Sequence, residues 1–319
     1  MSLERKEGYF ESTTGQDKIY TSIWENNEEE PTAIVQIVHG EKEHIGRYEK
    51  LAEFLAGSNI LVCGNDHLGH GKSANKGLGV LPEDGADRMV DDTCRLYNIM
   101  KQDYPDTPYF LLGYSMGASI ARACLPLLGD DIAGAILCGP IELPEGFDLM
   151  DTPIKLLNEK LGGNKLAKNS QLIFKKIIEL LDRTECENKD YRSFDVDNID
   201  DMDKDPLYLD TPTTSLIRDF YIITSRVSSK SWYLNVPNET TVLVISGAND
   251  PLSLYGLGSQ AICQNLEIQG KNSDMIVLPD TKHDVLHDSG NEMTYYSILQ
   301  FIINILMIKG SLGYFEDEL

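Results

Sequence analysis

Short apolar runs rich in β-branched residues alternate along this chain with longer stretches whose apolar residues recur at helical spacing, and this rhythm constrains the fold more than any other feature. Ala33 to Val38 (AIVQIV) ends at His39-Gly40 and has the length and composition of a buried strand. Tyr48 to Leu55 repeats its apolar residues one helical turn apart, and Asn59 to Gly64 (NILVCG) reads as the next strand. A helix follows over Asp87 to Met100, with Met89, Val90, Cys94, Tyr97 and Met100 along one face. Strand Pro108 to Leu112, helix Met116 to Leu127 and strand Ile132 to Cys138 continue the alternation. It resumes with a strand at Thr241 to Ile245, a helix around Gly258 to Leu266, a strand at Asp274 to Leu278 and a last helix over Glu292 to Lys309. Such spacing builds βαβ units, which predicts an α/β fold: a mostly parallel central sheet flanked by helices on both faces. Near the start, Gly8 to Ser12 and Lys18 to Trp24 flank Thr14-Gly15-Gln16-Asp17, which predicts an antiparallel hairpin at the sheet edge.

The segment from Pro140 to Pro212 breaks the rhythm. It holds two helix-like stretches, Ile154 to Leu161 and Gln171 to Leu181, a Gly162-Gly163 hinge, and an acidic run from Asp195 to Asp205. With no evident strand, it reads as a helical cap, or lid, over residues 140–212, inserted into a core formed by 1–139 and 213–319. A chain of 319 residues is long enough for one large core and such an insert.

A formal charge of −23 disfavours phosphate backbones and anionic headgroups, so the expected partner is a small molecule and not a nucleic acid. The first residues lack the apolar core of a secretory leader. The most apolar stretch, Ile298 to Ile308, is interrupted by Gln300 and Asn304 and is too short for membrane insertion. Six cysteines (Cys63, Cys94, Cys124, Cys138, Cys186, Cys263) lack metal-ligand spacing and mostly sit in apolar runs, as reduced structural thiols do. These features predict a cytoplasmic protein that uses no metal and no cofactor.

Gly113-Tyr114-Ser115-Met116-Gly117 carries the chemistry. This G-x-S-x-G lies directly after an apolar strand and directly before a helix, the setting of a nucleophile held on a tight, strained turn. A serine hydroxyl needs a base, and a serine so placed takes its partners in the chain order Ser, acid, His. Asp250 closes Ser246-Gly247-Ala248-Asn249-Asp250-Pro251, immediately after the strand TVLVI, at the sheet edge where ligands bind. His283 follows the strand ending at Leu278 and reaches the same edge. Asp280 and His287 are the alternatives, the first better suited to a turn, the second to structure. Acyl transfer also needs oxyanion donors; the backbone N–H groups of Met116 and of Glu41, in the loop after AIVQIV, are the candidates. His39 is expected to organise that loop, and His44, His67 and His70 to act as scaffolding.

Several stretches together resemble the monoacylglycerol lipases and related lysophospholipase-like serine hydrolases of the α/β-hydrolase superfamily. His39 to Tyr48 (HGEKEHIGRY) is similar to their HGxxEHxxRY, Asn65 to Ser73 (NDHLGHGKS) to their DHxGHGxS loop, Gly113 to Gly117 to their elbow, and Ser246 to Pro251 to their SGxxDP acid loop. Lys282 to His287 resembles the segment bearing their catalytic histidine. The resemblance implies an α/β-hydrolase fold, a helical cap over an acyl pocket, and hydrolysis of a small-molecule ester. Family members carry small residues where this chain has Glu41 and Lys42, which places two charged side chains near the entrance. Other readings are a lysophospholipase, a proline-type aminopeptidase using the same triad on amides, and a catalytically silent binding protein, which would lack a triad member. A dehalogenase would need Asp at position 115.

Overall fold

The computed structural model describes residues 3–144, 190–288 and 290–316. Burial is complete where the sequence is most uniformly apolar. Every residue of β3 (Ala33–Val38), β4 (Ile60–Asn65), β5 (Tyr109–Tyr114) and β6 (Ile132–Cys138) is buried, as expected of strands covered on both faces. With β1 (Leu3–Glu11), β2 (Lys18–Asn26), β7 (Thr241–Gly247) and β8 (Ser273–Leu278) they form one eight-stranded sheet, in the order β1-β2-β4-β3-β5-β6-β7-β8. β1 pairs antiparallel with β2, and β2 antiparallel with β4; all other pairs are parallel. The expected hairpin is therefore present, with longer arms: Leu3 pairs with Asn26 and Glu11 with Lys18.

Strand side chains alternate between two cores. On one face, Tyr109 and Leu111 of β5 pack with α2 (Gly85–Asp103), α3 (Met116–Leu128) and α5 (Thr214–Val227), through Met89, Leu96, Ile120, Leu216 and Ile223. On the other, Phe110 and Leu112 meet α1 (Glu49–Ala56) and α8 (Asn291–Glu316), through Leu51, Leu55, Ile298 and Ile302. Gln36 is the polar residue within AIVQIV, and its amide is satisfied. Its Nε2 donates to the Thr93 carbonyl at 2.9 Å, and the Tyr109 hydroxyl donates to its Oε1 at 2.6 Å.

The two helix-like stretches Ile154 to Leu161 and Gln171 to Leu181, the Gly162-Gly163 hinge and Cys186 lie outside the described residues. The acidic run is a helix, α4 (Val196–Lys204), whose cap is Asp195, accepting from the N–H groups of Asp197 and Asn198. Beyond it, α5 and α6 (Lys230–Asn235) fill a segment for which the sequence reading gives no element, each capped at its N-terminus by the side chain of Thr213 or Ser229. Their signal was present: Leu216, Phe220, Ile223 and Val227 recur at helical spacing and all pack on or in the first core. α7 (Leu257–Ile268) covers the sheet beside β7 and β8. Among the described residues no helix is long and apolar enough to cross a membrane.

Candidate active site

Ser115 stands where β5 ends and α3 begins. Its φ of +53° and ψ of −116° lie outside the regions that residues with a side chain favour. The flanking glycines make this turn possible. A Cβ at Gly117 would lie 1.9 Å from the Val38 carbonyl oxygen, and one at Gly113 would lie 2.3 Å from the Gly117 carbonyl oxygen. Any side chain there would force strand and helix apart. The Ser115 N–H donates to the Cys138 carbonyl at 2.9 Å, which ties the turn to β6.

The partners arrive from the ends of the next two strands. Asp250 follows β7 and His283 follows β8, so three loops at one edge of the sheet converge. His283 Nε2 is 2.9 Å from Ser115 Oγ, and its Nδ1 is 3.0 Å from Asp250 Oδ2. The second oxygen of Asp250 accepts the Leu252 N–H at 2.8 Å, which fixes the plane of the carboxylate. Ser115, His283 and Asp250 are 8, 3 and 0 % exposed, so the three groups interact in a medium far less screening than water. Burial pulls the His283 pKa down, but the charge and hydrogen bond of Asp250 outweigh it and hold the imidazole above its ordinary value. Tyr114 and Tyr191 pack against the ring, with centroids 5.3 and 6.2 Å away.

The rival residues go elsewhere. Asp280 takes a left-handed turn position at φ +50°, and Asp250, not Asp280, faces the histidine. His287 points away from Ser115. Its Nδ1 is 2.8 Å from Asp284 Oδ1, and its Nε2 is 3.1 Å from the Arg47 carbonyl. Burial raises the Asp284 carboxyl, yet His287 and Arg47 overcome this and hold it far below the usual carboxylate range.

The loop after β3 brings Glu41 to the same edge. Among the described residues, neither the Glu41 nor the Met116 N–H donates to a protein acceptor. The Glu41 carboxyl is pushed up by burial, against the opposing pull of Lys42 and His283. Lys42 is pushed down by burial, and its Nζ donates to the Asp210 carbonyl at 2.9 Å. His39, His67 and His70 sit beneath this loop as buried rings, and His44 Nε2 is 2.7 Å from Asp205 Oδ2.

Periodicity and motifs did not reveal what braces the base. Asp288 accepts from Ser193 Oγ at 2.7 Å, from the Phe194 N–H at 3.0 Å and from the Lys282 N–H at 3.1 Å, so the His283 loop is laced to residues 193–194. The Asp284 N–H donates to the Arg192 carbonyl at 2.8 Å, while Arg47 reaches both Glu43 and Asp284. The available signal was two aspartates, Asp284 and Asp288, close behind the histidine, but their partners are remote in sequence. The five described cysteines are free thiols, and among the described residues no three His, Cys, Asp or Glu side chains converge as metal ligands.

Comparison with known proteins agrees with this geometry. Residues 29–290 match the profile of the family described as Serine aminopeptidase, S33. The chain is 39% identical over 113 residues to the human protein named monoglyceride lipase, covering 35% of this chain and 36% of that protein. It is 42% identical over 110 residues to the monoglyceride lipase homolog of monkeypox virus, covering 34% and 38%. In these alignments the chain spans about a third of the length of the curated relatives it matches. Among solved structures, a thermostable carboxyl esterase from Bacillus coagulans superposes with a TM-score of 0.86 at 28% identity, covering 95% of this chain and 99% of that one. A structure titled "Lipase (Open form)" gives 0.85 at 23% identity, over 95% and 99%, and shows the fold.

Proposed function

Because the chain belongs to the serine aminopeptidase S33 family of α/β-hydrolases, we propose that it is a serine hydrolase of carboxylic esters, with monoacylglycerols or short neutral esters as substrates. The observation that carries this reading is the continuous line from Ser115 Oγ through the His283 ring to Asp250, held at 2.9 and 3.0 Å. In the first step His283 Nε2 takes the Ser115 proton as Oγ attacks the ester carbonyl carbon. The carbonyl oxygen becomes an anion, stabilised by the N–H groups of Met116 and Glu41. Collapse of this intermediate breaks the bond to the alcohol, which leaves with the proton held by His283. Water then adds to the acyl-enzyme, giving a proton to His283, and the acid departs as Ser115 regains its hydrogen. Asp250 keeps the proton of the resting imidazole on Nδ1 and stabilises the cationic ring. No cofactor enters these steps.

The substrate class is supported by the names of the human and viral relatives, and a net charge of −23 favours a neutral headgroup. Residues 140–212 serve in this reading as a cap over the acyl site, and the free thiols support a cytoplasmic setting. A second reading is aminopeptidase activity on amides with a free amine. The family description and the Glu41 carboxyl within electrostatic reach of His283 favour it, since a carboxylate can pair with an ammonium group. A parallel panel of monoacylglycerols, short nitrophenyl esters, lysophospholipids and aminoacyl amides separates these. Turnover of neutral esters that is lost in Ser115→Ala is the expected result. Turnover confined to aminoacyl amides would transfer the assignment to the second reading.

A further inference from the structure

Three buried histidines pack ring to ring beneath the loop that carries Glu41. The centroids of His39 and His67 are 4.0 Å apart, those of His39 and His70 5.3 Å, and those of His67 and His70 6.0 Å. None faces a carboxylate at hydrogen-bond distance; their ring partners are backbone groups. His39 Nε2 accepts the His67 N–H at 2.9 Å, so its proton resides on Nδ1, which donates to the Gly40 carbonyl at 2.8 Å. His70 arrives from a different loop, the one after β4. Its Nε2 lies 2.7 Å from the Glu41 carbonyl oxygen and its Nδ1 3.1 Å from that of Leu68. A neutral ring has one N–H to give, and the shorter contact, which would be the more repulsive without it, claims the proton.

These contacts fall on the two peptide planes that meet at the Glu41 Cα. A trans peptide sets its C=O and N–H in opposite directions. Holding the Gly40 carbonyl therefore aims the Glu41 N–H, and holding the Glu41 carbonyl prevents the residue from rotating about that plane. The next carbonyl, of Lys42, accepts the Leu209 N–H at 2.7 Å. We propose that His70 is a positioning residue for the oxyanion site: its ring, hydrogen-bonded to the Glu41 carbonyl, keeps the Glu41 N–H aligned with Ser115 and Met116. The inference rests on the acyl-transfer reading above. His70 touches neither the substrate nor the reacting atoms. Its effect is on where a donor points when charge develops, and a displacement of about 1 Å there costs roughly a hundredfold in rate.

Substitution of His70 can separate this role from simple support of the fold. Gln places an N–H close to the position of imidazole Nε2, Asn reaches only the Leu68 side, and Leu fills the space without a donor. His70→Leu should lower kcat/KM on a neutral ester about a hundredfold with KM changed less than about threefold, and His70→Gln should recover about tenfold of the loss. Affinity for a trifluoromethyl ketone, which forms a tetrahedral oxyanion adduct, should fall in proportion to kcat/KM across the set. His70→Asn replaces the Leu variant if the latter does not fold, with the same expected loss. The inference is overturned if a folded Leu or Asn variant keeps parental kcat/KM, or if activity falls only with the melting temperature while ketone affinity per folded molecule is unchanged. A parent enzyme with no ester or amide turnover would remove the acyl-transfer reading and this inference with it, whereas an active parent with the wrong variant pattern removes this inference alone.

Discussion

A single histidine, His283, and a cluster of three, His39, His67 and His70, lie at the same edge of the sheet, and they behave oppositely. His283 is 3 % exposed and holds its pKa above the ordinary value, whereas His39, His67 and His70, at 0 to 1 % exposed, are held below it. Burial is almost the same in both, so burial does not decide the outcome. The partner does. His283 faces a carboxylate, whose full charge stabilises the imidazolium that proton transfer creates. The other three face backbone groups and one another, and such dipoles cannot offset the cost of a buried cation. The single ring is fitted to move a proton, and the cluster to stay neutral while holding a loop in place.

The largest test of this contrast is removal of the proton carrier or its nucleophile. Ser115→Ala and His283→Ala should each lower kcat by roughly a million-fold, since members of a triad fail as a unit. A fluorophosphonate followed by peptide mass mapping should label Ser115 alone. Labelling of another serine would break the assignment.

Next comes the carboxylate that distinguishes His283 from the cluster. Asp250→Asn should cost about 10³- to 10⁴-fold, the scale seen when a triad loses its charge but keeps its shape. The pH profile carries the sign. The base works only when neutral, so kcat/KM rises with pH through the His283 pKa, and Asp250 places that limb above 6.5. In the Asn variant the raising charge is gone, and the limb should move to lower pH. A limb that stays in place would mean that the field at His283 has another source.

A smaller effect is expected at the neutral cluster when pH is lowered. His67 is pushed down to about 3 by burial and by His70, from an ordinary value of 6.5. The unfolded chain therefore binds protons that the folded chain refuses, and stability is lost as pH falls from about 6.5 toward 3. Thermal melts of the parent across this range should slope downward with acid. His67→Gln should flatten the slope, even if it lowers the melting temperature at neutral pH.

His287 sharpens the comparison further, for it pairs with a carboxylate, Asp284, and still is no base for Ser115. His287→Gln should keep kcat/KM within about tenfold in a folded variant, a loss of no more than about 1.4 kcal/mol in transition-state stabilisation. A loss equal to that of His283→Ala in two folded proteins would erase the distinction. The smallest expected effect is on headgroup choice. Monoacylglycerols should exceed lysophospholipids in kcat/KM by a modest factor that shrinks with added salt, because charges beyond about 10 Å are screened at 0.1 M. An unchanged ratio across salt would assign headgroup choice to local contacts.

What the sequence alone determined is what short stretches of chain specify. The order of strands and helices follows from apolar spacing, and the Ser115 turn from a glycine-flanked serine between a strand and a helix, all within Tyr109–Leu128. Asp250 and His283 were legible because each closely follows a strand of a parallel sheet, and parallel order carries those strand ends to one edge. The bracing of the base by Asp284 and Asp288 depended on partners far along the chain; Arg47 and Asp284, for example, are 237 residues apart. The sequence marked His283 as the base and the other histidines as support, but the partner of each ring was a tertiary outcome. Whether a buried imidazole meets a carboxylate or a carbonyl is set only when distant loops pack, and that choice fixes its charge.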